Sequence, residues 1–371
     1  MAAEVDRKVE RLAALAAELN VGGIVLSTQH NFGWLTAGRS NRVDATRETG
    51  SASLAVSAGG RRFVIASTIE SPRAMDEMVA GLDFELIEYP WTEDRADPAL
   101  PFRLAAKACG SSAVAADTQT SAAQHVEGAI ARTRATLVPE ELPRYRQLGA
   151  EAGTLLGNVV RGLTPGSTER EVAAAVSSAF LGIGAFPNVV LIAGDGRITR
   201  YRHPAPTMAR WHSRLLVVVC AERAGHVVAI SRLIAAGRVD DDLRARTRAT
   251  ASVFGRLLEA TKRGATGAHL FETAARAYAD AGYPGEEKLH HQGGTIGFRS
   301  REWVAHPAST EAVAPPQMFA WNPTIAGTKI EDTCLLDEDD RITLITPTPG
   351  WPTIELDVRG QTIGAADVFS V

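Results

Sequence analysis

The sequence predicts an α+β protein in two parts, and three observations predict it. Up to about residue 118, short strand-like runs alternate with helical ones, as in a small α/β domain. At Leu137-Val138-Pro139 this pattern breaks, and a proline opens a long helical stretch. Beyond it, two helices followed by strands recur as two more helices followed by strands, a duplicated α+β arrangement. A length of 371 residues suits two domains better than one, and we divide the chain at 1–138 and 139–371.

The elements are justified in order. Val5, Val9, Leu12, Leu15 and Leu19 recur at helical spacing, so a first helix covers about 5–20. GGIVLST (22–28) reads as a buried strand. Residues 52–58 and 61–67 are strand-like runs flanking Gly59-Gly60, which predicts a hairpin. Residues 69–81 read as helical, 84–90 as a strand and 112–118 as one more strand. In the second part, 139–163 forms one long helix. Thr168 and Glu171 make a capping box that starts a second helix over about 169–181. Residues 188–194, 215–222 and 226–234 read as strands. The helix over 240–261 opens on acidic residues, as the helix dipole prefers, and 269–282 ends on glycine. From about 289 onward the chain is rich in strands and turns.

Composition narrows the function. The net charge is −4 and no basic stripe stands out, so nucleic acid is not an expected partner. The three cysteines, Cys109, Cys220 and Cys334, are far apart and form no CxxC, which argues against a disulfide framework or a thiolate zinc site. The charged N-terminus lacks the apolar core of a signal peptide, and no apolar run is long enough to span a bilayer. The expectation is a cytoplasmic protein without a membrane partner.

Three stretches carry candidate chemistry. RYRHPAPT (200–207) holds Arg202 and His203 in a loop stiffened by two prolines. KLHHQGGTIGFRSRE (288–302) holds His290 and His291 before a Gly-Gly pair. Read as a strand, it sends the two histidines to opposite faces, so one enters a site and the other packs. FAWNPTIAGTKIEDT (319–333) holds Trp321, Asn322, Lys329 and Glu331, with Lys329 and Glu331 on one face of a strand. A glutamate facing a Trp-lined apolar pocket has its pKa raised by desolvation and can serve as acid or base near neutrality. The alternative is a Lys329–Glu331 surface salt bridge. Asp240, Asp241, Asp242, Asp337, Glu338, Asp339 and Asp340 sit where solvated charges are expected. The strands over 215–234 carry only Glu222, so they offer no cluster of hard metal ligands.

These stretches together resemble the creatinase/aminopeptidase P/methionine aminopeptidase superfamily, whose catalytic domain has the pita-bread fold. RYRHPAPT resembles its histidine loop, and HHQGGTIG its Gly-His-Gly-Ile-Gly segment. Arg301-Glu302 stands at the His-Glu that follows. QMFAWNP resembles Met-x-x-x-Glu-Pro, and GTKIEDT the Gly-x-x-x-Glu-Asp-Thr strand. FGWLTAGRSNR (32–42) resembles a segment of the creatinase-type N-terminal domain. The resemblance covers nearly the whole chain and implies a creatinase-type N-terminal α/β domain followed by a pita-bread domain.

The departures shape the functional expectation. The family's two Asp, one His and two Glu ligands fall here on Val218, Ala229, Gly294, Asn322 and Glu331, so no metal and no cofactor is expected. Creatinase, in the same superfamily, cleaves a C–N bond without metal. The resemblance therefore implies a metal-independent hydrolase acting on C–N bonds of a small polar substrate bearing a carboxylate or amide. His203, Glu331, Glu302 and His291 are its catalytic candidates. Arg202, Arg232, Arg301, Trp321 and Asn322 are its substrate-binding candidates, with Gly294 leaving room for the substrate. Creatinase-like homodimers close the site with the partner's N-terminal domain, which adds Trp34, Arg39 and Asn41. Two alternatives stay open: a lyase or isomerase using the same pocket, and a non-catalytic binding module.

Overall fold

The computed structural model describes residues 1–371, which form two compact units, Met1–Glu141 and Leu142–Val371. No helix is long and apolar enough to cross a membrane.

The first unit is a six-stranded mixed sheet flanked by helices. Gly23–Thr28 lies near its centre with all six residues buried, antiparallel to Thr49–Ser57 and parallel to Ala115–Ala116. Thr49–Ser57 turns through Gly59-Gly60 into Arg62–Ser67, with Gly60 at φ 81°. The helical stretch predicted over 69–81 is a short turn at Ser71–Arg73 that runs on as a π-helix over Ala74–Met78. The strand predicted at 112–118 is only Ala115–Ala116. Just beyond it the Asp117 carboxylate takes over the hydrogen bonding, accepting from the backbone N–H groups of Ser27 and Thr28 and the Thr28 hydroxyl. The helix Ala2–Glu18 buries Val5, Val9, Leu12 and Leu15. It also buries Lys8, whose Nζ lies 2.6 Å from Glu4, 2.9 Å from Glu141 and 2.7 Å from the Trp34 carbonyl.

In the second unit the duplicated plan is visible. The helices Leu142–Arg161 and Glu169–Gly182 accompany an antiparallel sheet of Phe186–Gly194, Arg214–Arg223 and His226–Ala235, edged by Phe369–Ser370. The Thr168/Glu171 capping box is formed in both directions. The helices Asp241–Ala260 and Gly267–Asp280 pack over a second sheet, ordered Trp303–Val304, Gly293–Ile296, Gln317–Trp321, Asp332–Leu336 and Ile342–Leu344. Phe254, Leu257, Tyr278, Phe319 and Trp321 fill the space between those helices and that sheet. The two sheets are joined where Ala229 N–H donates to the Thr333 hydroxyl and Ser231 N–H to the Glu331 carbonyl. That junction sets Glu331 against the centre of the first sheet.

Candidate functional site

Two loops bring three imidazoles together. His203 follows the short helix Gly196–Arg200, in a segment anchored by a buried acid. The Glu169 carboxylate accepts from the Gly194 and Thr207 N–H groups, both at 2.9 Å, from the Thr207 hydroxyl at 2.7 Å and from Arg197. Ile192 N–H also donates to the Pro204 carbonyl. The prolines and these bonds give the loop its shape and leave the His203 ring exposed.

His290 and His291 lie between the 3-10 turn Glu286–Lys288 and the strand Gly293–Ile296. Gln292 holds this segment. Its side chain donates to the His290 carbonyl and accepts from the Tyr278 hydroxyl at 2.7 Å, while that hydroxyl accepts from Thr324 N–H. The expectation that only one histidine enters the site is overturned. Residues 289–292 are not a strand, so the alternation of faces does not apply to them. The His290 and His291 rings stack with centroids 4.4 Å apart, and His203 stands edge-on to His290 at 4.9 Å. His203 Nε2 and His290 Nε2 are 3.1 Å apart, and one nitrogen from each of the three rings lies within 4.8 Å of the others.

All three imidazoles are held neutral. Burial is the main cause, and Lys329 adds to it in each case; His291 is pulled down to about 4, and Arg301 bears on it as well.

Beside them lies an ion cluster. Glu331 is 2% exposed, with Arg301 Nη2 3.0 Å from one oxygen and Lys329 Nζ 3.3 Å from the other. Burial pushes the Glu331 carboxyl up, but Lys329 and Arg301 together hold it below the ordinary carboxylate range. The expected raised pKa is therefore corrected: Glu331 is an ionised acceptor at neutral pH. Lys329 and Glu331 do share a face, but the pair they form is buried rather than superficial. The Arg301 Nε has no protein partner, and neither do the Nδ1 atoms of His290 and His291 or the Oδ1 of Asn322. Asn322 adjoins the histidines through its N–H, which donates to the Gln292 carbonyl.

The other sequence candidates are spoken for. Arg232 makes five hydrogen bonds, to Thr348, the Ser231 and Thr346 carbonyls, and both oxygens of Asp332; no donor is left for a substrate. Trp321 ends the strand Gln317–Trp321 on the same face as Phe319. It stacks on Phe319 and donates its indole N–H to Thr261, so it is core rather than pocket wall. Glu302 accepts from the N–H groups of Phe298 and Arg299 and shapes the 297–302 turn. Arg202 is paired with Glu286 and bonded to the Thr324 hydroxyl. In the first unit, Trp34 is fully buried, Asn41 is buried and bonded to the Ala52 carbonyl, and Arg39 donates to the Glu77 carbonyl. A reach by Trp34 or Asn41 into another subunit has no support in these contacts. What the sequence reading missed is that His290 belongs to the site and that Tyr278 and Gln292 set it. The i, i+2 spacing of Lys329 and Glu331 was the one signal of the ion cluster.

Gly294 needs a second correction. A Cβ there would lie 2.1 Å from the Trp303 carbonyl oxygen, because the neighbouring strand closes over it. The position is filled by backbone and is not open space for a substrate. Val218 and Ala229 are buried and apolar, Asn322 is neutral, and Glu331 already faces two fixed cations. These residues do not fit a carboxylate-held pair of metal ions.

Comparisons with known proteins agree with this architecture. The sequence profile of metallopeptidase family M24 matches residues 144–338. No curated protein sequence matches. Among solved structures, dipeptidase PepE from Mycobacterium ulcerans is similar with TM-score 0.78 and 18% identity, over 100% of this chain and 99% of that one. The Xaa-Pro dipeptidase from Bacillus anthracis gives TM-score 0.75 and 17% identity, over 99% of this chain and 100% of that one. The N-terminal domain of FACT complex subunit SPT16 from Cicer arietinum gives TM-score 0.72 and 11% identity, over 94% and 97%.

Proposed function

The chain belongs to metallopeptidase family M24, and from that premise we propose that it hydrolyses a C–N bond in a small polar substrate bearing a carboxylate or amide, without the family's two-metal centre. The observation that carries this reading is the ion cluster. Fixed positive charge from Arg301 and Lys329 surrounds the one carboxylate that remains of the family's ligand set. Fixed cations suit an anionic group on a substrate, and the guanidinium fork suits a carboxylate in particular. The Arg301 Nε, buried and without a protein partner, is a donor available to it.

The imidazoles supply basic lone pairs. Held neutral at physiological pH, they can accept the proton of an attacking water, and His203 is the exposed member of the three. Glu331 accepts hydrogen bonds and orients the two cations; it is not the proton donor. The likeness to two dipeptidases supports hydrolysis over lyase or isomerase chemistry. Likeness to the SPT16 domain and the missing ligands favour a binding module instead. Against that stand several buried polar atoms without protein partners, each costing about 1–3 kcal/mol when left unmade. The reading also takes the chain as a homodimer, on the resemblance to creatinase-like dimers, and light scattering checks it.

The test is a substrate screen with tag-free protein. Xaa-Pro dipeptides, N-acyl amino acids, ureido acids and amidino acids are incubated with it, and products are read by mass spectrometry. Cleavage of at least one class, lost in His203→Ala, is expected. No cleavage of any class, or cleavage that needs manganese and survives His203→Ala, overturns the reading.

A further inference from the structure

We infer that His203, His290 and His291 form a binding site for a single first-row transition-metal ion of the imidazole-preferring kind, zinc or cobalt(II) foremost. The position is set by two loops and uses none of the five family ligand positions. It shares its residues with the proposed hydrolase, while its test reads metal and not turnover.

The geometry argues for it first. Three imidazoles around a tetrahedral zinc ion, with Zn–N of about 2.0–2.1 Å, stand about 3.3 Å apart nitrogen to nitrogen. Here one pair, His203 Nε2 and His290 Nε2, is already 3.1 Å apart, and all three donors lie within 4.8 Å. Bringing the widest pair from 4.8 Å to the tetrahedral spacing closes roughly 1.5 Å, which side-chain rotation of the exposed His203 and the half-buried His291 can supply. His290 is 7% exposed, so its ring is packed in place. Three protein ligands leave a coordination position open, as in catalytic rather than structural zinc sites.

The electrostatics choose among ions. Arg301 and Lys329 face the cluster with only Glu331 against them, a net positive neighbourhood. Ions held mainly by charge and oxygen, such as Mg²⁺, Ca²⁺ and Mn²⁺, are disfavoured there. Zinc and cobalt(II) meet the same repulsion but offset it through their bonds to imidazole nitrogen. The neutral state of the rings is the state that ligates. A bound ion uses the lone pairs that would otherwise take a proton, so metal and proton compete for His203.

Tag-free, chelator-stripped protein is titrated with zinc by calorimetry and with cobalt(II) by visible absorption. One equivalent per chain is expected, with the d–d bands of a nitrogen-rich site, and no binding of Mn²⁺ or Mg²⁺. His203→Ala, on the exposed loop, and the double variant His290→Ala/His291→Ala are each expected to weaken zinc by about tenfold or more. Circular dichroism confirms that each variant is folded. Absence of stoichiometric zinc in the parent protein overturns the inference and leaves a simple imidazole–imidazole hydrogen bond. So does zinc binding that is unchanged in folded His203→Ala, or that is lost only in Glu331→Gln. Because the readout is binding, a protein that cleaves nothing leaves this inference standing, and a protein that binds no metal leaves the hydrolase standing.

Discussion

Replacing Lys329 with methionine keeps most of the apolar stem and removes the charge, which isolates the ion cluster. Glu331 is 2% exposed, and Lys329 Nζ is 3.3 Å from it. At an effective dielectric of 20, that contact has a gross Coulomb energy of about 5 kcal/mol. Removing one partner of a buried pair costs about 3–5 kcal/mol, because the other charge is left uncompensated. Arg301 stays hydrogen-bonded to Glu331 at 3.0 Å, so the loss belongs at the low end, about 3 kcal/mol. For a unit of this size that is a fall in Tm of roughly 6–12 °C. The pH dependence has a definite sign. The folded Glu331 carboxyl lies below its unfolded value, so its stabilisation is present above about pH 4.3 and is lost as pH falls through the folded value. With Lys329 gone the folded value rises, and the acid loss of stability moves to higher pH. The assay is chemical and thermal unfolding of the parent protein, Lys329→Met, Glu331→Gln and the double variant. A coupling energy of about 1–3 kcal/mol is expected from this cycle. Coupling within about 0.5 kcal/mol of zero would refute the claim that the cations and Glu331 form one unit.

Two further outcomes follow from the same geometry. Arg232→Met should unfold at lower denaturant by about 3–5 kcal/mol while leaving any substrate KM unchanged, because its donors serve Asp332 and the 346–348 segment; a change in KM with intact stability would return Arg232 to the binding site. In chelator-treated protein the three histidines are neutral when folded and take up protons when unfolded. Stability should therefore be full above about pH 6.5 and fall as pH drops toward 4, with a slope that lessens in His290→Ala/His291→Ala; a flat profile over that window would show the rings to be solvated.

The fold was legible because its signals are local. Helix periodicity, the Thr168/Glu171 capping box and the Gly59-Gly60 turn each act over a few residues, and five motif segments in order carried the rest. The site was less legible because its chemistry is long-range. From sequence Arg232 reads as a substrate ligand, because its partner Asp332 lies 100 residues away. The raised Glu331 pKa expected from one strand does not hold, because Arg301, 30 residues upstream in sequence, pairs with it. Strand alternation separates the histidine pair on paper, but residues 289–292 form no strand. Within Gln317–Trp321 the same rule does hold, and it puts Trp321 on the face of Phe319, on which it stacks.

Charge explains why this site differs from a merely eroded one. In an eroded two-metal site the remaining acid sits buried without the cations that once neutralised it, and drift toward apolar residues relieves the strain. Glu331 instead has two protein cations, Arg301 and Lys329, at ion-pair distance, so the cluster remains ionised and carries one net positive charge. That excess is itself costly to bury, and an anionic ligand would offset it. The Arg301 Nε within the cluster has no protein partner and is a donor available to that anion. A screen of carboxylates for thermal stabilisation therefore tests the charge argument directly. Carboxylates should raise the Tm, neutral amides of the same shape should raise it less, and Arg301→Met should abolish the difference. Equal stabilisation by acid and amide would mean that the positive charge is satisfied from within the protein.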